Sequence, residues 1–234
     1  HRDLHSFPTR RSSDLVEPQT ETVWNQADRY KVPRIAFVNK MDRSGADYFE
    51  VINMMNQYLD ANAHAFQIPI GEEENFNGII DIIEKKAYSF NESGYTEIAI
   101  PENYIEQSKT YRTKLTEALA DFSDEVMELY LEGKEISAQI LKNAARDASL
   151  KLLITPVFCG AAYKNKGIQQ LLDAVVDYLP SPVDVGAIVG NDVNDAEKSI
   201  RRSPSIKEPF AALAFKIIND PYVGQQTFVR IYSG

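Results

Sequence analysis

Apolar side chains recur at helical spacing in three separate stretches of the chain. The first begins at Pro18 and ends before Pro33, the second covers residues 48–59, and the third covers residues 168–179 and ends at Pro180. Each stretch has one apolar stripe, which predicts an amphipathic helix packed against a core. The expected stripes are Val23, Trp24, Ala27 and Tyr30; Tyr48, Val51, Ile52, Met55, Tyr58 and Leu59; and Ile168, Leu171, Leu172, Val175 and Leu179.

Two short apolar stretches, residues 34–38 and 154–158, are typical of strands. The first shows no polar alternation, which predicts a strand buried on both faces of a parallel sheet. The second contains Pro156. Because a proline cannot donate a ladder hydrogen bond, we expect this second strand at the edge of the sheet.

The segment between these strands has a different pattern. Residues 65–70, 79–90 and 95–100 read as strands, separated by Gly71, Gly78 and the turn at residues 91–94. Residues 101–133 and 137–150 read as acidic helices, the second capped by Ser137. We therefore expect an α+β subdomain, residues 65–150, inserted into the parallel sheet.

The last part of the chain predicts a new domain. Residues 183–207 are polar and rich in Asp and Asn, which indicates a linker after the boundary at residue 182. Residues 211–218 and 225–232 alternate apolar and polar side chains and predict a β-hairpin. Two strands alone are marginally stable, so we expect residues 208–234 to be the beginning of a larger β domain.

The net charge of −9 comes from a single segment. Residues 70–150 contain seventeen acidic and eight basic residues, so the other segments sum to zero. This balance argues against a direct nucleic-acid site and favours either a solvated face or a basic protein partner for the insertion. No run reaches the roughly 18 apolar residues of a membrane span, and no secretory signal is present, so we expect no membrane contact and a cytoplasmic location.

Candidate chemistry follows the strand at residues 34–38, where Asn39, Lys40 and Asp42 lie just beyond its carboxyl end. Open α/β sheets hold ligands at that edge. An ionised carboxylate at Asp42 can accept both the N1–H and the N2–H of guanine, which adenine cannot supply. Asn39 can bond the N7 edge and connect neighbouring loops, while the stem of Lys40 can lie along the base. The alternative interpretation is a solvated turn, in which these residue types are common.

A second loop, residues 159–167, consists largely of small residues that let the backbone approach a flat ligand. Its single cysteine, Cys159, is expected to be a small buried side chain rather than a catalytic thiol. His64 is the only histidine beyond residue 15, and three consecutive carboxylates, residues 72–74, cannot all converge on one ion. We therefore predict no catalytic residue and no metal ligand in this chain.

Four motifs resemble bacterial elongation factor G: residues 18–24 (Pro-Gln-Thr-Glu-Thr-Val-Trp), 38–43 (Val-Asn-Lys-Met-Asp-Arg), 159–167 (Cys-Gly-Ala-Ala-Tyr-Lys-Asn-Lys-Gly) and 177–182 (Asp-Tyr-Leu-Pro-Ser-Pro). The resemblance covers residues 16–234. It implies part of a doubly wound, mostly parallel GTPase sheet, residues 16–64 and 151–182, carrying the inserted α+β subdomain and followed by the first strands of a β-barrel. It also implies GTP hydrolysis on the ribosome during tRNA and mRNA movement.

By position, the resemblance makes Asn39, Lys40 and Asp42 the guanine-specificity motif, and Ala162 the residue whose amide meets guanine O6. Ala161 occupies a position where the family usually has serine, so a hydroxyl that orients the carboxylate is missing. We expect modestly lower affinity with unchanged base choice. The acidic insertion resembles the part thought to contact the ribosomal stalk protein.

The sequence contains no G-x-x-x-x-G-K-[ST] phosphate loop and no Asp-x-Pro-Gly-His element. These supply the phosphate and Mg²⁺ contacts of GTP and GDP in the family, so we expect an internal fragment that is inactive alone. Residues 1–15 lack any helical or strand period and resemble a translated sequencing adapter, the alternative being a disordered basic leader. Two other functions stay open: a ribosomal-protection or release-factor GTPase, and a non-catalytic interaction module.

Overall fold

The computed structural model of this chain describes residues 18–92, 94–192, 195 and 197–234. The leader expected at residues 1–15 lies outside the described residues. The helices are α1 (Pro18–Arg29), α2 (Tyr48–Leu59), α3 (Ile105–Ala120), α4 (Asp124–Leu131), α5 (Ala138–Leu150), α6 (Ile168–Tyr178) and α7 (Pro182–Val185). The strands are β1 (Ala36–Val38), β2 (Ala63–Ala65), β3 (Gln67–Ile70), β4 (Gly78–Asp81), β5 (Lys86–Asn91), β6 (Gly94–Ile98), β7 (Thr155–Cys159), β8 (Ile188–Asn191), β9 (Ser199–Arg202), β10 (Ala211–Asp220) and β11 (Gly224–Ser233).

A three-stranded parallel sheet in the order β1-β7-β2 forms the centre of the first compact unit, which ends at Leu179. Helix α2 connects β1 to β2, as parallel pairing requires a crossover. Its buried side chains pack on the sheet, and the Tyr48 hydroxyl donates to the Val157 carbonyl at 2.6 Å. The prediction of a mixed α/β fold with a parallel sheet is confirmed.

The expectation that the Pro156 strand lies at a sheet edge is wrong, because β7 is the central strand. The Thr155 amide donates toward β2 at 3.0 Å, whereas the Gly160 amide donates to Val38 at the end of β1, also at 3.0 Å. Successive amides of a strand face opposite neighbours, so the nitrogen of Pro156 faces β1. Pairing with β1 begins only at Val157, and the ladder therefore loses no bond.

The predicted apolar stripes are buried only in part. Strand β1 is half-buried rather than buried on both faces, and it pairs with β7 on one side. In α2 the expected residues Tyr48, Val51, Ile52 and Met55 are buried, but Tyr58 is exposed. In α1 and α6 several stripe residues are exposed, and Ala174 and Tyr178 form the buried face of α6 instead. The exposed stripe residues are Val23, Tyr30, Leu172 and Val175.

The segment between β2 and β7 contains a four-stranded antiparallel sheet, β3-β4-β5-β6, and helices α3, α4 and α5. The stretch read as one strand at residues 65–70 belongs to two sheets, because Ala65 ends β2 and Gln67 begins β3. Residues 79–90 form two strands, β4 and β5, joined by a turn in which Lys85 has a φ of 55°. The Ser137 side chain accepts a hydrogen bond from the Ile140 amide, the cap predicted for α5.

The second compact unit covers Pro180–Gly234. Residues 183–207, expected to be a linker, contain part of α7 and the antiparallel pair β8-β9. Helix α7 begins with a capping box between Ser181 and Asp184. The predicted hairpin is present as β10-β11, with each strand about two residues longer than the pattern indicated. Among the described residues, no helix combines the length and the apolar character required for a membrane span.

Candidate functional site

Two loops meet at the carboxyl edge of the parallel sheet. Val38 at the end of β1 lies opposite Cys159 at the end of β7, so the residues after both strands emerge side by side. The Gly160 amide donates to the Val38 carbonyl at 3.0 Å, and the Met41 amide donates to the Gly160 carbonyl at 3.1 Å. The hydrogen-bond ladder thus continues beyond both strands. We call residues 39–46 the first loop and residues 160–167 the second loop.

The side chain of Asn39 connects the two loops. Its Oδ1 accepts hydrogen bonds from the Lys40 amide at 2.8 Å and from the Ala162 amide at 2.9 Å. The Ala162 amide, which the resemblance assigns to guanine O6, therefore donates its hydrogen bond to Asn39 in this structure. The Nδ2 group of Asn39 takes no part in these two bonds and is a donor suited to the N7 acceptor of a purine.

Asp42 lies in the first loop at the same edge of the sheet, and 17% of its side chain is exposed. Its Oδ2 is 2.8 Å from Nζ of Lys164 in the second loop. The hydrogen bond from Lys164 is the largest influence on this carboxyl and lowers its pKa, outweighing the opposing effect of partial burial. Asp42 is consequently ionised at neutral pH, and a carboxylate with about four lone-pair positions can accept further donors besides Lys164.

The remaining predicted site residues differ in exposure. Lys40 is exposed and adopts a left-handed conformation with a φ of 64°, which turns the first loop back so that the Arg43 amide donates to the Lys40 carbonyl at 3.1 Å. Ala161 is buried, and its amide and carbonyl both pair with the main chain of Lys166. Ala162 is exposed. The structure thus brings all five predicted residues into two adjoining loops, with Ala161 contributing through its backbone.

The second loop is closed tightly by a glycine. A Cβ atom at Gly160 would lie 2.4 Å from the Lys166 carbonyl oxygen and 2.7 Å from Cζ of Phe37. Both distances are below van der Waals contact, so the loop can pack against β1 only with glycine at this position.

Sequence reasoning missed three side chains at these loops: Lys164, Lys166 and Glu73. Lys164 pairs with Asp42, Lys166 donates to the Phe76 carbonyl, and Glu73 accepts from the first loop. The two lysines belong to the motif at residues 159–167. Their positive charge, in a loop expected to share a site with the Asp42 carboxylate, was an available signal. Glu73 does not directly follow a strand, and its partner Gly45 is 28 positions away. The sequence therefore carries no such signal for Glu73.

Two other side chains considered in the sequence analysis, Cys159 and His64, lie in environments typical of structural residues. Cys159 is fully buried, which raises the pKa of its thiol and keeps it protonated. Desolvation lowers the pKa of His64, whose Nε2 lies 3.0 Å from Asn62 Oδ1. Within the described ranges, no group of three or more His, Cys, Asp or Glu residues could hold a metal ion.

A cavity of about 290 Å³ lies elsewhere in the first unit, lined by side chains from β4, α5 and α6. Its central cation, Lys142, is paired at 2.8 Å with Glu84 and at 3.2 Å with Asp177. None of the five predicted site residues lines this cavity. The loops, rather than the cavity, therefore combine an open edge with acceptors and donors arranged for a base.

Comparison with known proteins shows what the chain as a whole is similar to. The chain is similar over 96% of its length to a crystal structure from Thermus thermophilus, with 27% identity and a TM-score of 0.74, but it spans only 31% of that chain. Residues 11–181, which include both loops, match the family described as the elongation factor Tu GTP binding domain. This match extends over most of the sequence, and the chain therefore belongs to the elongation factor Tu GTP-binding domain family.

Proposed function

We propose that this chain is part of a translation factor of the elongation factor G type, which binds and hydrolyses GTP during polypeptide elongation on the ribosome. The observation that carries the proposal is the ionised Asp42 at a sheet edge where Asn39 joins the loops after β1 and β7. Membership of a GTP-binding domain family supports a guanine nucleotide as the ligand.

In this proposal Asp42 accepts N1–H and N2–H of guanine, and Asn39 donates Nδ2–H to N7. Lys40, exposed beside them, covers one face of the base with its methylene stem. When the base binds, the hydrogen bond from the Ala162 amide shifts from Asn39 Oδ1 to guanine O6. Ala161 supports this turn through its main-chain pairing. Lys164 orients the Asp42 carboxylate before a base arrives.

We propose the following organisation for the chain. Residues 16–64 and 151–182 form one part of a doubly wound GTPase domain, and residues 65–150 form an inserted subdomain. Residues 183–207 connect this domain to residues 208–234, the first strands of a β-barrel. The parallel order β1-β7-β2, with an antiparallel sheet between β2 and β7, supports this division.

The phosphate chemistry of such a factor depends on groups other than the five loop residues. GTP supplies the transferred phosphoryl group, and Mg²⁺ with a phosphate loop stabilises the developing charge. The sequence contains no G-x-x-x-x-G-K-[ST] motif. We therefore propose that the chain recognises the base but does not hydrolyse GTP by itself, and phosphate release above a buffer blank would contradict this.

Exchange of base specificity provides the sharpest test of the site. An Asp42→Asn side chain offers one acceptor and one donor, which match the N1–H and C2 carbonyl of xanthine instead of guanine. We expect fluorescent GDP affinity to fall about tenfold or more, with xanthosine diphosphate gaining relative to GDP. Asp60→Asn is the matched control, because Asp60 is exposed and asparagine tolerates its left-handed φ of 48°. Guanine binding that is insensitive to Asp42→Asn would refute the assignment.

The proposed partners are the ribosome and, through the acidic insertion, its stalk protein. The imbalance of seventeen acidic against eight basic residues in residues 70–150 supports a basic protein partner. A pull-down with purified stalk protein should enrich this chain in a salt-dependent manner. Enrichment no greater than that of an unrelated acidic domain would refute the stalk contact while leaving the guanine site untouched.

A further inference from the structure

The loop between β3 and β4, residues 71–77, reaches both loops of the candidate site. It belongs to the antiparallel sheet, and β3 and β4 pair directly on either side of it. Its side chains and carbonyls contact residues that follow Asp42 and residues that precede α6. We call residues 71–77 the bracing loop.

Glu73 makes the contact to the first loop. One carboxylate oxygen, Oε1, accepts from the Gly45 amide at 2.7 Å and from the Ser44 hydroxyl at 3.2 Å. Ser44 and Gly45 follow Asp42 by two and three positions, at the end of the turn that begins with Lys40. Hydrogen bonds to an ionised acceptor are the stronger kind. Fixing Gly45 therefore restricts the turn that presents the Asp42 carboxylate.

Lys166 makes the contact from the second loop. Its Nζ donates to the Phe76 carbonyl and lies 5.7 Å from the centroid of the Phe76 ring. The main chain of Lys166 pairs in both directions with Ala161, the residue before the proposed O6 donor. The position of the second loop is thus tied to the same short segment as the first loop.

The bracing loop is itself firmly anchored. Phe76 is fully buried and packs against Phe90, with ring centroids 5.8 Å apart. The Asn77 amide donates to the Ile70 carbonyl at 3.0 Å, and the Gly71 amide donates to the Tyr104 hydroxyl at 2.9 Å. Because its aromatic side chain is buried and its two ends are hydrogen-bonded, the bracing loop is held in one position and can restrict the residues that it contacts.

We propose that the bracing loop positions both guanine-contacting loops, and that Glu73 is a positioning residue for Asp42. This inference rests on the proposed function. It makes the inserted subdomain part of base recognition, because the acceptor of the Gly45 amide comes from that subdomain. Glu73 does not contact the base; it acts through the turn that carries Asp42.

The test compares Glu73→Ala and Glu73→Gln with Glu74→Ala; both glutamates are exposed in the same loop, but Glu73 is the one that accepts from Gly45. The glutamine retains an oxygen acceptor for Gly45, whereas the alanine removes it. Amide hydrogen exchange, which requires no ligand, should be about tenfold faster at Gly45 in Glu73→Ala than in the unaltered chain. Glu73→Gln should recover most of the protection, and Glu74→Ala should resemble the unaltered chain.

A second readout separates positioning of Asp42 from a purely structural role. Inosine diphosphate lacks the N2 amino group, so the ratio of GDP to inosine diphosphate affinity reports the second hydrogen bond to Asp42. We expect Glu73→Ala to lower this ratio about threefold or more and Glu73→Gln to restore it. An unchanged ratio, or unchanged exchange at Gly45, would overturn this inference alone. Failure of the unaltered chain to discriminate GDP from inosine diphosphate would overturn the proposed function.

Discussion

Replacement of Gly160 by alanine tests whether the two site loops must pack as closely as the structure shows. The added Cβ would meet the Lys166 carbonyl oxygen at 2.4 Å and the Phe37 ring at 2.7 Å. The carbonyl belongs to the main chain and cannot rotate away as a flexible side chain could. The loop must therefore shift, which stretches the hydrogen bond from the Met41 amide to the Gly160 carbonyl, 3.1 Å in this structure.

Overpacking of a closed site costs roughly 1–3 kcal/mol, and we expect about 2 kcal/mol for Gly160→Ala. For a chain of this length, that loss lowers the Tm by about 4–8 °C. Urea unfolding followed by circular dichroism gives the free energy of unfolding, and a thermal melt gives the Tm. Gly190→Ala is the matched control, because a Cβ at Gly190 meets no atom within 4 Å. Equal stability of the two variants would refute the packing argument.

Two further predictions concern buried polar groups. Tyr48→Phe removes the hydroxyl that donates to the Val157 carbonyl at 2.6 Å, and should cost about 1 kcal/mol in urea unfolding; a loss equal to that of the exposed control Tyr58→Phe would contradict it. Burial raises the pKa of Asp81 to about 6, so the folded state holds its proton more strongly than the unfolded state. The free energy of unfolding attributable to Asp81 therefore falls as pH rises from about 4 to about 6. Asp81→Asn, which keeps an acceptor for the Glu84 amide, should remove that slope and gain about 3 kcal/mol at pH 7, and an unchanged pH profile would contradict this.

Features set by local chemistry could be predicted from the sequence. The full extent of α2 and the Ser137 cap of α5 were predicted, since apolar spacing and side-chain caps act within one helical turn. The loops after β1 and β7 were also found, the first because polar residues follow an apolar strand directly and the second because a run of small residues does. Asn39 was also expected to connect neighbouring loops, but not with the Ala162 amide as its partner, which the resemblance assigns to guanine O6.

Features set by distant partners could not be predicted. Pro156 indicates an edge strand only if the neighbouring strand that its nitrogen faces needs a hydrogen bond there, and the point at which β1 begins its pairing decides that. Likewise, Leu172 and Val175 satisfy the helical period, but the face of α6 that is buried depends on the elements that pack against it. The Glu73 contact joins residues 28 positions apart with no shared motif.

The arrangement β1-β7-β2 has a consequence for the order of folding. The Thr155 hydroxyl donates to the Ala61 carbonyl, a contact between residues 94 positions apart, although β2 and β7 are immediate neighbours. Closing a disordered loop of that length costs more entropy than closing a short one, and such nonlocal pairing is slow. The antiparallel hairpins and helices between these strands consist of short-range contacts. If they fold first, they bring the ends of β2 and β7 together and shorten the effective loop, so the insertion accelerates closure of the parallel sheet that it interrupts.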